Sequence, residues 1–187
     1  MLTSAGVAGK DAQSWLEEAS KTPDADPPTP RTTIIDVNLI GLYYSTHLAL
    51  HYFKQTSKPG DEGSKHLIYI SSLAGYIPIN GLLDYNASKY GVRGMFKALR
   101  HNDTILGDSR PRFRLNLVAP TFISTPMTNH AQSELTAIGI EFGKVEDVVA
   151  GVVRLACDES ISGRAIAIAA GKNEAGDRNF DLNDDWE

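Results

Sequence analysis

Short apolar runs alternate along this chain with longer segments in which apolar residues recur at helical spacing. Short, nearly continuous apolar runs are typical of strands buried on both faces of a parallel sheet. The strands are predicted near residues 1–3, 66–71, 112–119 and 164–169, and the main helices near 32–55, 85–100 and 145–157. This alternation predicts an α/β fold with right-handed helical connections between parallel strands.

The segments outside this pattern are polar or rich in proline. A short helix is predicted over 11–19, and the prolines of 22–30 predict a solvated connector. A loop without strong secondary structure is expected at 126–142. We therefore expect one folded domain over residues 1–170, followed by an acidic polar tail at 171–187.

The composition is that of an ordinary globular protein. The chain has 187 residues, of which 42% are hydrophobic and 22% charged, enough for one domain. A net charge of -5 gives no reason to expect nucleic acid or an anionic membrane surface as a partner. No apolar run approaches the ~20 residues that span a bilayer, and no secretory signal begins the chain. Because Cys157 is the only cysteine, no intrachain disulfide is expected, and we expect a cytoplasmic protein.

Three polar residues, Ser72, Tyr85 and Lys89, follow the second predicted strand. Ser72 stands at the end of this strand, where open parallel sheets bind ligands. Tyr85 and Lys89 are four residues apart on the helix that follows, so they share one helix face. The spacing predicts that all three side chains meet at one edge of the sheet.

A tyrosine beside a lysine is suited to proton transfer. A free phenol has a pKa near ~10, too high for a base at neutral pH, and a nearby cation favours the phenolate. Lys89 is placed to lower the pKa of Tyr85, which could then take a proton from an alcohol or give one to a ketone. The hydroxyl of Ser72 could hold the same oxygen. Removing hydrogen from the carbon as well needs a hydride acceptor that no side chain provides, so a nicotinamide is implied.

A second pair of residues, His47 and His51, is four residues apart on the helix predicted at 32–55. This is the spacing of a zinc-binding helix, but no carboxylate stands at the metalloprotease position and no third ligand is evident. We therefore predict no metal site.

Further motifs accompany the three polar residues. Asn38 lies in Asp-Val-Asn-Leu-Ile-Gly at 36–41, Ser72 lies in Ile-Ser-Ser-Leu-Ala-Gly at 70–75, and Asn-Leu-Val-Ala-Pro-Thr follows at 116–121. With the Tyr-x-x-x-Lys pair, this set resembles the short-chain dehydrogenase/reductase family, and in finer details its fungal branch of hydroxyaverantin dehydrogenase-like and hydroxyprostaglandin dehydrogenase-like proteins. The resemblance implies the C-terminal part of a Rossmann-type doubly wound parallel sheet.

The resemblance implies a role for each of these residues. Tyr85 would be the catalytic acid or base, Ser72 would position the substrate oxygen, and Lys89 would lower the pKa of Tyr85 and bind the nicotinamide ribose. Asn38 would support a proton-relay water near Lys89. The cofactor, NADP or NAD, would be contacted by Ala5, Gly6, Asn38, Tyr85, Lys89, Ile123 and Thr125.

The resemblance also implies partners. A small-molecule alcohol or ketone would be the substrate, in a secondary-metabolite setting. The helices at 32–55 and 85–100 resemble the pair through which members of the family dimerise, so a homo-oligomer is expected.

Two features depart from the family pattern. No glycine-rich turn that would hold a pyrophosphate precedes Ser72, so the first strand–helix units, which also choose between NAD and NADP, are expected to be missing. Thr121 stands where the family has glycine. Three functions stay open: an NAD(P)-dependent dehydrogenase or reductase, an inactive remnant or partner-binding module that cannot hold dinucleotide, and a non-redox isomerase or dehydratase that uses Tyr85 and Ser72.

Overall fold

A five-stranded sheet with the strand order β1-β2-β3-β4-β5 carries the fold in the computed structural model. The strands are β1 Leu2–Thr3, β2 Ser64–Ile70, β3 Arg112–Pro120, β4 Ala165–Ile168 and β5 Asn179–Asp181. The first four strands are parallel, and β5 is antiparallel to β4. The structure describes residues 1–9, 17, 20–21, 26, 29–108, 111–174, 176 and 178–184.

Helices connect the parallel strands. The first of them, α1, has three consecutive parts: an α-helical turn Thr33–Ile35, a π-helical segment Asp36–Ile40 and an α-helix Gly41–Gln55. The others are α2 Leu83–Leu99, α3 Asn129–Ala137 and α4 Val145–Cys157, and a 3₁₀ turn, Leu73–Gly75, lies between β2 and α2.

The core lies on both faces of the sheet, and the central strand β3 is buried from its second to its eighth residue. Successive side chains of β2 point to opposite faces. Leu67 and Tyr69 pack in a cluster with residues of α1 and α2, whereas Ile68 packs in a second cluster with Leu155 of α4. Because helices cover both faces, the later residues of β2 and β3 are apolar on both sides of the sheet, which explains the continuous runs 67–70 and 117–120 in the sequence.

This architecture confirms the predicted α/β fold, the four parallel strands and the helices at 32–55, 85–100 and 145–157. The predicted helix at 11–19 and connector at 22–30 lie almost wholly outside the described residues. Within 126–142 the structure has the helix α3 in place of the expected loop. That helix has no buried residue, so it lacks the apolar face by which a helix is identified from sequence.

Within the segment 171–187, predicted as an acidic polar tail, the described residues 178–184 include a short strand. Residues 179–181 form β5, which pairs with β4 through Asn179, Phe180 and Asp181. Leu182 packs against the main core cluster and Asp184 is buried. Two apolar residues among many polar ones are enough to dock an edge strand, and such a pattern resembles a solvated tail in the sequence.

Candidate active site

The predicted site residues lie beyond the C-terminal ends of the first three strands. Ala5 and Gly6 follow β1, Ser72 follows β2, and the segment 121–125 follows β3. The carboxyl ends of parallel strands meet at one edge of the sheet, where ligands bind in open α/β folds.

Ser72 begins the 3₁₀ turn after β2. Its Oγ accepts a hydrogen bond from the Ala74 N–H over 3.1 Å and donates to the carbonyl of Pro120, at the end of β3, over 3.5 Å. Ser72 is 8% exposed. The hydroxyl is therefore held between two strand ends by the backbone around it.

Tyr85 lies in the first turn of α2, and its phenol lies near the hydroxyl of Ser72. Burial raises the pKa of the Tyr85 phenol above its ordinary value of 10.0, and the nearby Ser72 side chain opposes this shift. The structure therefore places the serine and the tyrosine side by side.

Lys89 lies one helical turn after Tyr85 and is 4% exposed. Its Nζ stands 5.5 Å from the centroid of the Tyr85 ring. Burial lowers the pKa of Lys89 from 10.5 to about 8, because desolvation penalises the charged form. The expected lowering of the Tyr85 pKa by Lys89 is not found in this geometry, since the cation faces the ring and burial dominates the shift.

Asn38 lies in the π-helical segment of α1 and is 3% exposed. Its Oδ1 accepts from the Val7 N–H over 2.8 Å, and its Nδ2 donates to the Val7 carbonyl over 2.9 Å and to Ser88 Oγ over 3.1 Å. Both side-chain N–H groups therefore bind protein atoms. A relay water at Asn38 would have only oxygen acceptors of this residue to bind.

Gly6 faces Asn38 and Lys89. A methyl group added at Gly6 would stand 3.6 Å from Asn38 Oδ1 and 3.8 Å from Lys89 Nζ. Glycine therefore leaves open the space beside the buried ammonium. Ala5, the residue before it, is exposed.

Ile123 and Thr125, the two cofactor contacts predicted after β3, lie in different surroundings. Ile123 is 7% exposed, and its side chain packs in the core cluster that contains Val118 and Leu155. The side chain of Ile123 is therefore largely withdrawn from any ligand, and its carbonyl accepts from Thr128 Oγ1 over 2.6 Å. The Thr125 N–H donates to Thr128 Oγ1 over 3.1 Å, which fixes the turn that follows.

Sequence reasoning missed Ser88, which links the two helices of the site. Ser88 is fully buried, and its Oγ accepts from Asn38 Nδ2 while it donates to the Tyr85 carbonyl over 2.7 Å. The available signal was its place beside Lys89, one turn after Tyr85, on the buried face of the helix.

Within the described part of the chain, no three His, Cys, Asp or Glu side chains are grouped so that they could hold a metal ion. None of the described helices is long and apolar enough to cross a membrane.

Comparison with known proteins identifies the family. A family model described as "short chain dehydrogenase" matches residues 1–136. The chain belongs to the short-chain dehydrogenase family. This agrees with the family resemblance of the motifs around Asn38, Ser72 and Tyr85.

Two relatives of this short-chain dehydrogenase from fungi match it over nearly its whole length. It is 37% identical to "NADP-dependent dehydrogenase M3" of a Phoma species, over 98% of this chain and 56% of that protein. It is also 37% identical to "5'-hydroxyaverantin dehydrogenase" of Dothistroma septosporum, over 100% of this chain and 61% of that protein. The chain thus spans about three-fifths of the length of these two relatives.

The fold is shared with solved structures. The ligand-free aldohexose dehydrogenase of Thermoplasma acidophilum superposes with a TM-score of 0.62 and 22% identity, over 89% of this chain and 64% of that one. At this identity the likeness shows the fold alone, and it confirms the Rossmann-type α/β architecture.

Proposed function

We propose that this chain carries the reaction site of an NAD(P)-dependent dehydrogenase or reductase that interconverts a small-molecule alcohol and ketone. The observation that supports this most is the position of Tyr85, with the Ser72 side chain near its phenol and the buried ammonium of Lys89 facing its ring. The three groups meet at the edge of the sheet where ligands bind in this fold class.

In this proposal Tyr85 exchanges the proton of the substrate oxygen. Its raised pKa keeps the phenol protonated at neutral pH, so Tyr85 is ready to donate a proton to a ketone. Ser72 holds the same oxygen through its hydroxyl, which its bond from Ala74 orients. In the opposite direction, Tyr85 would have to lose its proton first, and a charged Lys89 would favour the phenolate.

The residues around Lys89 fit the nicotinamide end of a dinucleotide. The buried ammonium of Lys89 offers donors that suit ribose hydroxyls, and Gly6 leaves room beside it. Asn38 fixes the backbone of Val7, which borders the same space. When bound, a nicotinamide would exchange a hydride with the substrate carbon.

The names of relatives guide the choice of cofactor and substrate class. One relative is called an NADP-dependent dehydrogenase and another a 5'-hydroxyaverantin dehydrogenase. We therefore place NADP before NAD, and a fungal secondary-metabolite alcohol or ketone before other substrates.

Self-association is part of the proposal. Tyr43, Tyr44, Leu48 and Tyr52 on α1 are each more than half exposed, as is Leu83 on α2. Contiguous apolar side chains on a surface mark interaction sites. We propose that the helices at 32–55 and 85–100 form a homo-oligomer contact. Sedimentation of wild type and Leu48→Glu would test this, and a wild-type monomer would contradict it.

Nucleotide binding tests the proposed function. The purified chain is titrated separately with NADPH and NADH while nicotinamide fluorescence is followed, with Tyr85→Phe and Lys89→Ala as variants. Saturable binding that Lys89→Ala weakens and Tyr85→Phe largely keeps, with ketone turnover that Tyr85→Phe abolishes, is the expected result. No binding by a folded chain would favour the partner-binding module. Turnover without nucleotide would favour the isomerase or dehydratase.

A further inference from the structure

The carboxylate of Asp184 binds side chains from both elements that carry the proposed active site. Tyr76 donates its hydroxyl proton to Asp184 Oδ2 over 2.8 Å. Arg93 donates through Nη2 to Oδ1 over 2.6 Å and through Nε to Oδ2 over 3.3 Å. Arg100 Nη2 donates to the Asp184 backbone carbonyl over 2.5 Å.

The partners of Asp184 lie next to the site residues in the chain. Tyr76 directly follows the 3₁₀ turn Leu73–Gly75 that Ser72 begins. Arg93 lies on α2, one turn beyond Lys89 and two turns beyond Tyr85. The Arg93 guanidinium also lies 4.3 Å from the centroid of the Tyr76 ring. Asp184 therefore joins the end of the Ser72 turn to the helix of Tyr85.

We propose that Asp184 is a positioning residue that fixes the Ser72 turn against α2, so that the hydroxyls of Ser72 and Tyr85 meet at one substrate oxygen. The catalytic consequence rests on the proposed function. Asp184 thereby links the Ser72 turn to α2.

The charges at this junction favour a permanent contact. The Asp184 side chain is 4% exposed and that of Arg93 is 22% exposed. Burial alone would raise the pKa of Asp184, but hydrogen bonds from Arg93 and Tyr76 outweigh it and hold that pKa below its usual range. Burial raises the pKa of Tyr76, so its hydroxyl remains a donor. A charged hydrogen bond is stronger than a neutral one, and removing the Asp184 carboxylate takes away the acceptor of the Tyr76 hydroxyl.

Another hydrogen bond reaches Tyr76 from α2. Tyr90 donates its hydroxyl proton to the Tyr76 carbonyl over 2.9 Å, at an exposed position. The Tyr76 ring and hydroxyl are held by Asp184 and Arg93. Loss of the Asp184 carboxylate therefore frees the far end of the turn without removing any atom that touches the substrate.

Amide hydrogen exchange reports on this turn independently of activity. The N–H groups of residues 74–77 bind Ser72 Oγ or the carbonyls of Ser72 and Leu73, so their exchange follows the opening of the turn. Asp184→Ala is expected to speed their exchange about tenfold or more, because it removes charge-assisted bonds. The matched control is Asp181→Ala, which removes an ion pair of 2.7 Å with Arg164 from the same segment. That control should leave residues 74–77 unchanged.

Kinetics complete the test. With NADPH and a ketone, Asp184→Ala should lower kcat about tenfold while nucleotide Kd changes less than about twofold, and Asp184→Glu should recover part of kcat. Unchanged exchange at 74–77 in Asp184→Ala overturns the proposal. If that variant unfolds, Tyr76→Phe removes only the hydroxyl, and equal exchange at 74–77 then overturns it. A wild-type chain that turns over no ketone contradicts the proposed function, whereas the exchange of residues 74–77 still tests the positioning role of Asp184.

Discussion

Asn38 makes a reciprocal pair of hydrogen bonds with the backbone of Val7. The Val7 N–H donates to Asn38 Oδ1 over 2.8 Å and the Val7 carbonyl accepts from Asn38 Nδ2 over 2.9 Å. An amide side chain thus acts like a neighbouring strand for a residue that follows β1. The bonds span 31 residues and attach the segment after β1 to α1. Asn38 lies in the π-helical segment 36–40, and such segments often occur at functional sites.

We predict that Asn38→Leu destabilises the protein by about 1–3 kcal/mol, because a side chain of similar size leaves the N–H and carbonyl of Val7 without their partners. The change is measured as a shift of the urea unfolding midpoint. Asn102→Leu, at an exposed position after α2, is the control and should shift stability by less than about 0.5 kcal/mol. Equal stabilities of the two variants would contradict the importance of the Val7 bonds.

Replacing Lys89 is predicted to stabilise the protein, in contrast to the loss of stability predicted for Asn38→Leu. Its folded-state pKa of about 8 lies below the ordinary 10.5, so the folded chain carries the cost of a buried charge at neutral pH. Above the unfolded pKa, Lys89 is neutral in both states and does not penalise folding. The penalty grows as pH falls, and it is complete below the folded pKa. We predict that Lys89→Met is more stable than wild type by about 2 kcal/mol at pH 7 and by less at pH 9.5.

The same variant should bind NADPH more weakly, since it loses the donor beside Gly6. Stability that rises when function is lost is typical of an active-site residue. Lys58→Met, in an exposed loop, controls for loss of a surface charge. If Lys89→Met is less stable than wild type at pH 7, the ammonium is stabilised by its surroundings and the assignment of a desolvated cation is wrong.

The sequence predicted those elements in which the pattern of apolar and charged residues shows which positions are buried. The helix at 145–157 was predicted to the residue, because its apolar face is regular and acids occupy its first turn. Asp147 there accepts from the Lys144 N–H over 3.1 Å, as an acid in a capping box does. The approach of Ser72, Tyr85 and Lys89 followed from a strand end and a helical spacing of four.

The remaining features depend on what packs around a residue, which the sequence does not state. The direction of the Tyr85 pKa follows from desolvation in the folded protein rather than from the nearby lysine. The burial of Asp184 depends on Arg93, which lies 91 residues earlier in the chain. A strand such as β5, with one apolar residue, becomes evident only when its neighbour β4 is present.

Gly75 tests how closely the Ser72 turn packs on α2. A methyl group at Gly75 would stand 2.7 Å from the carbonyl oxygen of Lys89, so the turn and the helix would have to separate. We predict that Gly75→Ala destabilises the protein by about 1–3 kcal/mol, because the methyl group meets a backbone atom that cannot easily move. NADPH binding should weaken as well, because the turn and the helix that carry the site would separate. Urea unfolding and nicotinamide fluorescence measure the two effects.

The matched control for this variant is Gly94→Ala on α2. Nothing lies within 4 Å of a methyl group there, so the change should stabilise the helix by about 0.5–1 kcal/mol. A Gly75→Ala protein with wild-type stability and binding would show that the turn can move away from α2 at no cost.

His66 predicts how stability depends on acid. Burial, the charge of Arg114 and the N-terminal ammonium lower the pKa of His66 from 6.5 to about 4. The neutral ring nitrogen Nε2 accepts from Asn116 Nδ2 over 2.9 Å, since Asn116 Oδ1 is already bound by the Arg164 N–H. The unfolded chain therefore takes up a proton at a pH where the folded chain does not.

The direction in which stability changes with pH follows from this difference. The stabilising effect of neutral His66 is complete above pH ~6.5 and is lost as pH falls through about 4. After allowance for its partial exposure, we predict that wild type loses about 2 kcal/mol more between pH 7 and pH 4 than His66→Gln, whose side chain stays neutral. Urea unfolding at several pH values measures this. His47→Gln on the exposed face of α1 is the control and should follow wild type, whereas parallel curves for wild type and His66→Gln would show that His66 titrates alike in both states.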